Sequence, residues 1–291
     1  GRARGVVPGM VVAGDEAQTV RPTAFEFGPL SNMIEKRLGA RTEKSRHELA
    51  QNLRSPQAVA EVVERADEVL YGLLPRVERP RGRRSDSPAD ITTGKVAMVV
   101  VDGDEELRRV FETFKELAGD AALVYPAALA PPRLTTAADD IGVTLWTSET
   151  IKGLEFRTIG VLDVPGEVGR IVDLAASTKD SGLCTEFART SIDRLLVALS
   201  RSTETLVLLG SAWDAAPAAL REVLDDPSEA AESSEGRLGW IDLADLPGLL
   251  ELDAADANAR IEGLLASSQR LQDLGQYDDA AREAENARGL L

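Results

Sequence analysis

Two segments in the second half of the chain carry residues that could act on a phosphate. Residues 152–156 read Lys-Gly-Leu-Glu-Phe, and residues 197–201 read Val-Ala-Leu-Ser-Arg. A glycine in a turn lets the backbone approach a ligand closely, and a guanidinium is always charged and binds phosphate oxygens in a fork. The local sequence offers Arg201 no evident partner. We therefore expect an exposed guanidinium that is available to a phosphate.

Two earlier segments could complete this chemistry. Hydrolysis of a nucleoside triphosphate requires charge stabilisation at the γ-phosphate and an oriented water molecule. The amide of Gln18, which ends the segment 14–18, could orient the water and sense the phosphate, and Arg54 could supply a second guanidinium. The alternatives are structural: Gln18 would cap a turn, Arg201 would complement a helix C-terminus, and Lys152 would be a solvated surface residue.

In their order along the chain, these four segments resemble motifs III to VI of the UvrD/Rep-type superfamily 1 DNA helicases. Residues 14–18 are similar to the third motif, G-D-x-x-Q, and residues 49–55 to the fourth, L-x-x-N-Y-R-S. Residues 147–156 are similar to the fifth, T-x-H-x-x-K-G-L-E-F, and residues 197–202 to the sixth, V-A-L-S/T-R-A/S. The fold that this resemblance implies is an α/β, RecA-like (P-loop NTPase-type) domain with a mostly parallel sheet flanked by helices.

The resemblance also implies an activity, its cofactors and its partner. The activity is ATP-dependent helicase or translocase action on single-stranded DNA, with ATP and Mg²⁺ as cofactors. Gln18, Arg54 and Arg201 would reach the γ-phosphate across a cleft between two RecA-like domains, and Gly153, Glu155 and Lys152 would bind the nucleotide. The residues expected on the single-stranded DNA path are Arg21, Thr23, Phe25, Trp146, Thr147 and Ser148. Core positions are the alternative for Phe25 and Trp146.

The sequence departs from the family pattern in three ways that matter for function. One is the interval of only about 90 residues between Arg54 and Thr147, where larger family members have an extra domain. The sequence also contains no G-x-x-x-x-G-K-S/T segment, so we expect the phosphate cradle and the Mg²⁺ ligands to lie in a missing N-terminal RecA-like domain. The chain would then be a fragment that is inactive alone. Glu149 stands where the family pattern has a histidine near the DNA, and a carboxylate there would repel phosphates.

Charge divides the chain into three parts. The net charge is −16 overall, +2 over residues 1–90, −6 over 91–212 and −12 over 213–291, where no lysine occurs. We expect residues 1–22 to end a first RecA-like domain, 23–212 to form the second, and 213–291 to form an acidic, all-α tail that could bind a protein partner or resemble a tetratricopeptide helix pair. A non-catalytic interaction module with a degenerate helicase fold is the alternative function.

The elements that must position these residues follow from hydrophobic periodicity. Apolar runs predict strands over 96–101, 121–125, 143–147, 158–164 and 206–209, and helical spacing predicts helices over 56–73, from Asp102–Asp104 onward, 191–200 and 220–225. Residues 126–140 are expected to form a loop and 167–186 a weakly structured insertion. No strand is expected after Gly210.

Composition excludes several classes of protein. The single cysteine, Cys184, and the single histidine, His47, argue against a disulfide framework and a zinc site. No run of 18 apolar residues occurs, so we expect neither a membrane nor a secretory role, and a cytoplasmic location.

Overall fold

The computed structural model of the 291-residue chain describes residues 55–74, 94–117, 120–177, 182–211, 213, 216–224 and 238–250, together with residues 32–33, 36–37, 265, 269 and 284. Residues 265, 269 and 284 are helical. The other residues of the predicted all-α tail beyond residue 250 and the expected domain boundary at residue 22 lie outside the described residues. Also outside are the candidate residues Gln18, Arg21, Thr23, Phe25 and Arg54.

The described part of the chain is built on six parallel strands. In chain order they are β1 (Lys95–Val100), β2 (Ala121–Tyr125), β3 (Leu145–Thr147), β4 (Phe156–Val161), β5 (Ser202–Gly210) and β6 (Leu238–Trp240). Their spatial order is β3-β2-β4-β5-β1-β6, and every neighbouring pair is parallel. This parallel sheet with helices on both faces confirms the α/β fold class that the sequence predicted.

Helices cover both faces of the sheet. They are α1 (Gln57–Gly72), α2 (Asp104–Glu116), α3 (Pro132–Ile141), α4 (Val164–Ser177), α5 (Gly182–Leu199), α6 (Ala218–Leu224) and α7 (Leu246–Leu250), which follows a 3₁₀ turn over Leu243–Asp245. One hydrophobic core lies between the sheet and α1, α4, α5 and α6. The other lies between the sheet and α2, α3 and α7.

The apolar runs of the central strands follow from this two-sided burial. In β5, Leu206 and Leu208 face the first core while Val207 and Leu209 face the second, and all four are at most 1% exposed. A strand covered on both faces needs an apolar residue at every position. This requirement explains why β1, β2, β4 and β5 could be recognised from the sequence.

One glycine allows α2 to pack closely on the sheet. A Cβ added at Gly160 in β4 would lie 2.6 Å from the ring of Phe114 on α2 and 2.8 Å from the side chain of Leu123 on β2. Both distances are too short for real contacts. Gly160 therefore makes room for the buried Phe114 ring.

Two segments that were predicted to lack regular structure are helical. The expected loop at 126–140 contains α3, and the expected insertion at 167–186 contains most of α4 and the start of α5. Helix α3 buries only Leu134 and Ala138, which is too few apolar positions for a periodic pattern. Helix α4 does show the spacing, since Val164, Val168 and Ile171 face the core.

The prediction of an all-α tail from residue 213 is wrong for the first part of that tail. Strand β6 pairs with β1, with Leu238 opposite Val96 and Trp240 opposite Met98. Helix α6 adds its buried residues to the first core. The sheet domain therefore continues beyond the expected boundary at residue 212.

Candidate functional site

The segments 152–156 and 197–201 lie side by side at one end of the two central strands of the sheet. Phe156 pairs with Ser202 where β4 and β5 begin, and the Phe156 N–H donates to the Arg201 carbonyl at 3.1 Å. The turn over 152–155 thus leads into β4 next to the residue that precedes β5. The fold brings together two segments that are far apart in the sequence.

The loop that connects β3 to β4, residues 148–155, starts as a hydrogen-bonded turn. The Ile151 N–H donates to the Thr147 carbonyl at 2.9 Å, and the Thr147 N–H donates to the Thr150 hydroxyl at 2.9 Å. The Ile151 side chain is fully buried in the first core. The first half of the loop is therefore anchored to the domain.

The tip of the loop, residues 152–155, is exposed at all four positions. Gly153 has φ +88°, and a Cβ added there would have no neighbour within 4 Å. The glycine is therefore required by the backbone conformation and not by lack of space. The tip presents Lys152 and Glu155 on the surface, which fits both a ligand-binding role and the solvated-surface alternative for Lys152.

Arg201 is buried, so the expected exposure of its guanidinium is wrong. The residue is 1% exposed. Its Nε donates to the Val197 carbonyl at 3.1 Å, and its Nη2 donates to the Ser200 hydroxyl at 3.3 Å. These acceptors lie at the C-terminus of α5, where carbonyl groups lack helical partners and a cation is stabilised by the helix dipole. Main-chain acceptors cannot be read from residue types, which is why the sequence suggested no partner.

Ser148 does not lie on the surface, in contrast to its prediction as a DNA contact. It is fully buried; its N–H donates to the Ala127 carbonyl at 3.3 Å and its hydroxyl donates to the Arg194 carbonyl on α5 at 2.9 Å. The hydroxyl therefore ties the loop to a helix instead of facing a ligand.

Glu149 forms an ion pair that the sequence analysis missed. Its Oε1 accepts a hydrogen bond from Nη2 of Arg194 at 3.0 Å, and the two side chains are 18% and 20% exposed respectively. The carboxylate that was expected to repel a nucleic acid is thus paired within the domain. The sequence offered only an indirect signal for this pair. An acidic residue stands where the family pattern has a histidine, and Arg194 on the following predicted helix had no assigned role.

The two remaining DNA-path candidates are half-buried. Trp146 packs on the first core, with its ring centroid 5.9 Å from that of Phe156, which fits the core alternative for this residue. Thr147 places its hydroxyl 3.2 Å from that of Thr150. Each of these side chains leaves only part of its surface for a ligand.

A second polar cluster lies at the opposite end of the strands, where β2 and β4 end. Arg170 on α4 donates from Nε to Glu167 at 3.0 Å, from Nη2 to the Tyr125 hydroxyl at 3.0 Å and from Nη1 to Asp163 at 3.4 Å. Glu167 is 2% exposed, and this burial raises its pKa although Arg170 acts in the opposite direction. Burial also raises the pKa of Tyr125. The side chains of this cluster thus form hydrogen bonds with one another.

Two observations on the described residues concern metals and membranes. No group of three or more His, Cys, Asp or Glu side chains among them could hold a metal ion. None of the helices in the described ranges combines the length and the apolar character that crossing a membrane requires.

Comparison with known proteins found similarity at the level of solved structures. No family model matches the chain, and no curated protein matches it. The chain is similar to a crystal structure of the C-terminal domain of a possible DNA helicase from Lactobacillus plantarum WCFS1, with 13% identity and a TM-score of 0.39 over 65% of this chain and 98% of that one. A likeness at this level carries no argument about function or site.

Proposed function

We propose that this chain is the C-terminal motor half of an ATP-dependent DNA helicase or translocase of the UvrD/Rep type. The observation that supports the proposal most is the contact between Phe156 and Arg201, which places the fifth and sixth motif-like segments at one end of the central strands of a parallel sheet. Because the sequence lacks a phosphate-loop lysine motif, another RecA-like domain would supply the main ATP and Mg²⁺ ligands.

In this proposal the tip of the 148–155 loop binds the nucleotide. The positive φ at Gly153 turns the backbone so that Lys152 and Glu155 are both exposed. A carboxylate such as that of Glu155 accepts hydrogen bonds from ribose hydroxyls, while an ammonium such as that of Lys152 attracts phosphates. Burial of Ile151 fixes where the tip begins, so that little ordering is required on binding.

Arg201 would act as an arginine finger after a change of partners. The contacts of its guanidinium include a carbonyl and a hydroxyl, and both of these acceptors are neutral. Phosphate oxygens are charged and form stronger, shorter hydrogen bonds with arginine. Since the side chain is 1% exposed, this exchange requires Arg201 to rotate outward. Hydrolysis would then be coupled to closure of the cleft between the two domains. Gln18 and Arg54 would complete the γ-phosphate contacts.

The described residues leave a short surface for single-stranded DNA. Burial removes Ser148 from that surface, and Trp146 and Thr147 are half-buried. Arg21, Thr23 and Phe25 remain proposed contacts on the same path.

The test is DNA-stimulated ATP hydrolysis by the full-length gene product, wild type against Arg201→Lys. Lysine keeps the charge at the helix terminus but cannot form the guanidinium fork. We expect a rate loss of about 10³-fold or more, as for removal of an arginine finger. Arg133→Lys, at an exposed position on α3, is the matched control and should keep full activity. Equal rates for Arg201→Lys and wild type would refute the finger assignment.

A second candidate function is a non-catalytic interaction module that keeps the fold. The burial of Arg201, with acceptors supplied by α5, favours it, because this arginine then has a purely structural role. The acidic segment 213–291, with a net charge of −12, would be the place to look for a protein partner. Absence of ATPase activity in the wild-type full-length product would favour this candidate.

A further inference from the structure

The loop between β3 and β4 is tied to α5 at two consecutive residues. The Ser148 hydroxyl donates to the Arg194 carbonyl at 2.9 Å, and the Glu149 carboxylate accepts from the Arg194 guanidinium at 3.0 Å. Both loop residues therefore hold the same residue of the helix, one through its main chain and the other through its side chain.

We propose that Glu149 and Arg194 are positioning residues, which fix the exposed tip 152–155 relative to Arg201. This inference rests on the proposed function, because the tip and Arg201 are the parts assigned there to the nucleotide. Glu149 takes this structural role at the motif position where the family pattern has a histidine near the DNA.

The degree of burial distinguishes this pair from ordinary surface ion pairs. Glu149 and Arg194 are 18% and 20% exposed, whereas Arg108 and Glu112, an ion pair of 3.2 Å on α2, are 63% and 52% exposed. Exposed pairs of that kind contribute little because water and salt screen them. A pair that is mostly shielded from water interacts more strongly and leaves an uncompensated charge when one partner is removed.

The far end of the loop has its own connection to the end of α5. The Leu154 N–H donates to the Ile151 carbonyl at 3.0 Å, and the Phe156 N–H donates to the Arg201 carbonyl at 3.1 Å. Arg194 lies on α5 and Arg201 follows its C-terminus. Helix α5 and Arg201, which lies two residues beyond the end of the helix, thus hold both ends of the loop. In this way the position of the tip is fixed relative to Arg201.

Pairing with Arg194 also removes the repulsion expected from Glu149. The ion pair has no net charge, so a phosphate strand near the loop meets a neutral surface at this point. If neither side chain contacts phosphate, the salt dependence of single-stranded DNA binding must not change when the two charges are exchanged.

The experiment uses the full-length gene product with Glu149→Arg, Arg194→Glu and the exchanged double variant. Amide hydrogen exchange is followed at Ile151, Leu154 and Phe156, and the KM for ATP is measured separately from kcat. We expect each single variant to raise exchange at these amides and the KM by about tenfold, and the double variant to restore most of both. The matched exchange of Arg108 and Glu112 should change neither.

Glu149→Gln, a milder change, keeps the test decisive if a charge reversal prevents folding. It should raise exchange at the same three amides. In the exchanged double variant, where the net charge is kept, tighter DNA binding with a steeper salt dependence would overturn the proposal, because position 149 would then face phosphates. Lack of rescue in the double variant would overturn it as well. A different outcome separates this inference from the proposed function. If the wild type lacks ATPase activity but the double variant still restores slow hydrogen exchange, Glu149 and Arg194 do fix the loop and the proposed function is refuted.

Discussion

Tyr71 on α1 donates a hydrogen bond of 2.6 Å to Asp193 on α5, across 122 residues of sequence. The side chains are 4% and 1% exposed, and Asp193 immediately precedes the positioning residue Arg194. Burial, followed by the proximity of Asp193, raises the pKa of the Tyr71 hydroxyl. This contact joins α1 to α5, the helix to which the 148–155 loop is hydrogen-bonded.

Tyr71→Phe should therefore destabilise the domain. Removing the hydroxyl leaves a buried carboxylate with one hydrogen bond fewer, which costs about 1–3 kcal/mol of unfolding free energy. Because the folded pKa is raised above the unfolded value of about 10, this tyrosine stabilises the fold below pH 10, and that contribution is lost as the pH rises further. Urea unfolding at neutral pH should show the loss, and the wild type should weaken more than the variant above pH 10. Identical unfolding midpoints would contradict the role of the contact.

Glu167→Gln should reveal the raised pKa of the buried carboxyl group. A group with a raised folded pKa contributes stability below its unfolded pKa, here 4.5, and that stability is lost as the pH rises through the folded value. The unfolding free energy of the wild type, relative to Glu167→Gln, should therefore decrease between pH 4 and pH 7. Urea unfolding of both proteins across this range measures the difference. A difference that grows with pH would show that Arg170 dominates over burial.

Gly160→Ala should destabilise the domain by overpacking. The added methyl group would lie within 3 Å of Phe114 and Leu123, and overpacking of this kind costs about 1–3 kcal/mol. Gly239→Ala in β6, where a Cβ meets nothing within 4 Å, is the control and should unfold like the wild type. Phe114→Leu should recover part of the loss when combined with Gly160→Ala. Thermal or urea unfolding of the wild type, Gly160→Ala, Gly239→Ala and the double variant Gly160→Ala/Phe114→Leu measures these differences in unfolding free energy.

Gly153→Ala should separate backbone strain from ligand binding. A non-glycine residue at this positive φ costs about 1–2 kcal/mol. Gly103→Ala is the comparison, since Gly103 has φ +108° and ψ +176°, a region that only glycine readily occupies, and an equally open environment, so that its replacement should cost about 1–3 kcal/mol. Only Gly153→Ala should raise the KM for ATP of the full-length product, because Gly103 lies before α2, away from the proposed site. Equal effects of both variants on KM would argue against a nucleotide contact at the tip.

The sequence was sufficient for the elements that are buried on both faces. Strands β1, β2, β4 and β5 each carry an apolar run where both of their faces are covered, and the α1 pattern of valines and alanines has the period of a helix. It was not sufficient for α3, which buries two residues, or for β6, which has three residues including a glycine. Short elements like these are determined by the partners that they pack against.

The site was predictable in its parts but not in its contacts. The proximity of the 152–156 and 197–201 segments follows from two adjacent parallel strands, and the glycine turn was correctly placed on the surface. The burial of Arg201 could not be anticipated because its acceptors are a carbonyl and a neighbouring hydroxyl. The ion pair of Glu149 with Arg194 could not be anticipated either, because the two residues are 45 apart in the sequence and meet only when the loop packs against α5.

The pairing of β6 with β1 joins two strands that are synthesised far apart in time. Val96 pairs with Leu238, so β1 receives its last neighbour only after more than a hundred further residues have been made. At ordinary elongation rates this interval is roughly 10–30 s. During that time one side of β1 keeps its main-chain hydrogen-bonding groups open, and an open strand edge is a template for aggregation. The acidic residues that flank β6 arrive together with the strand that closes this edge.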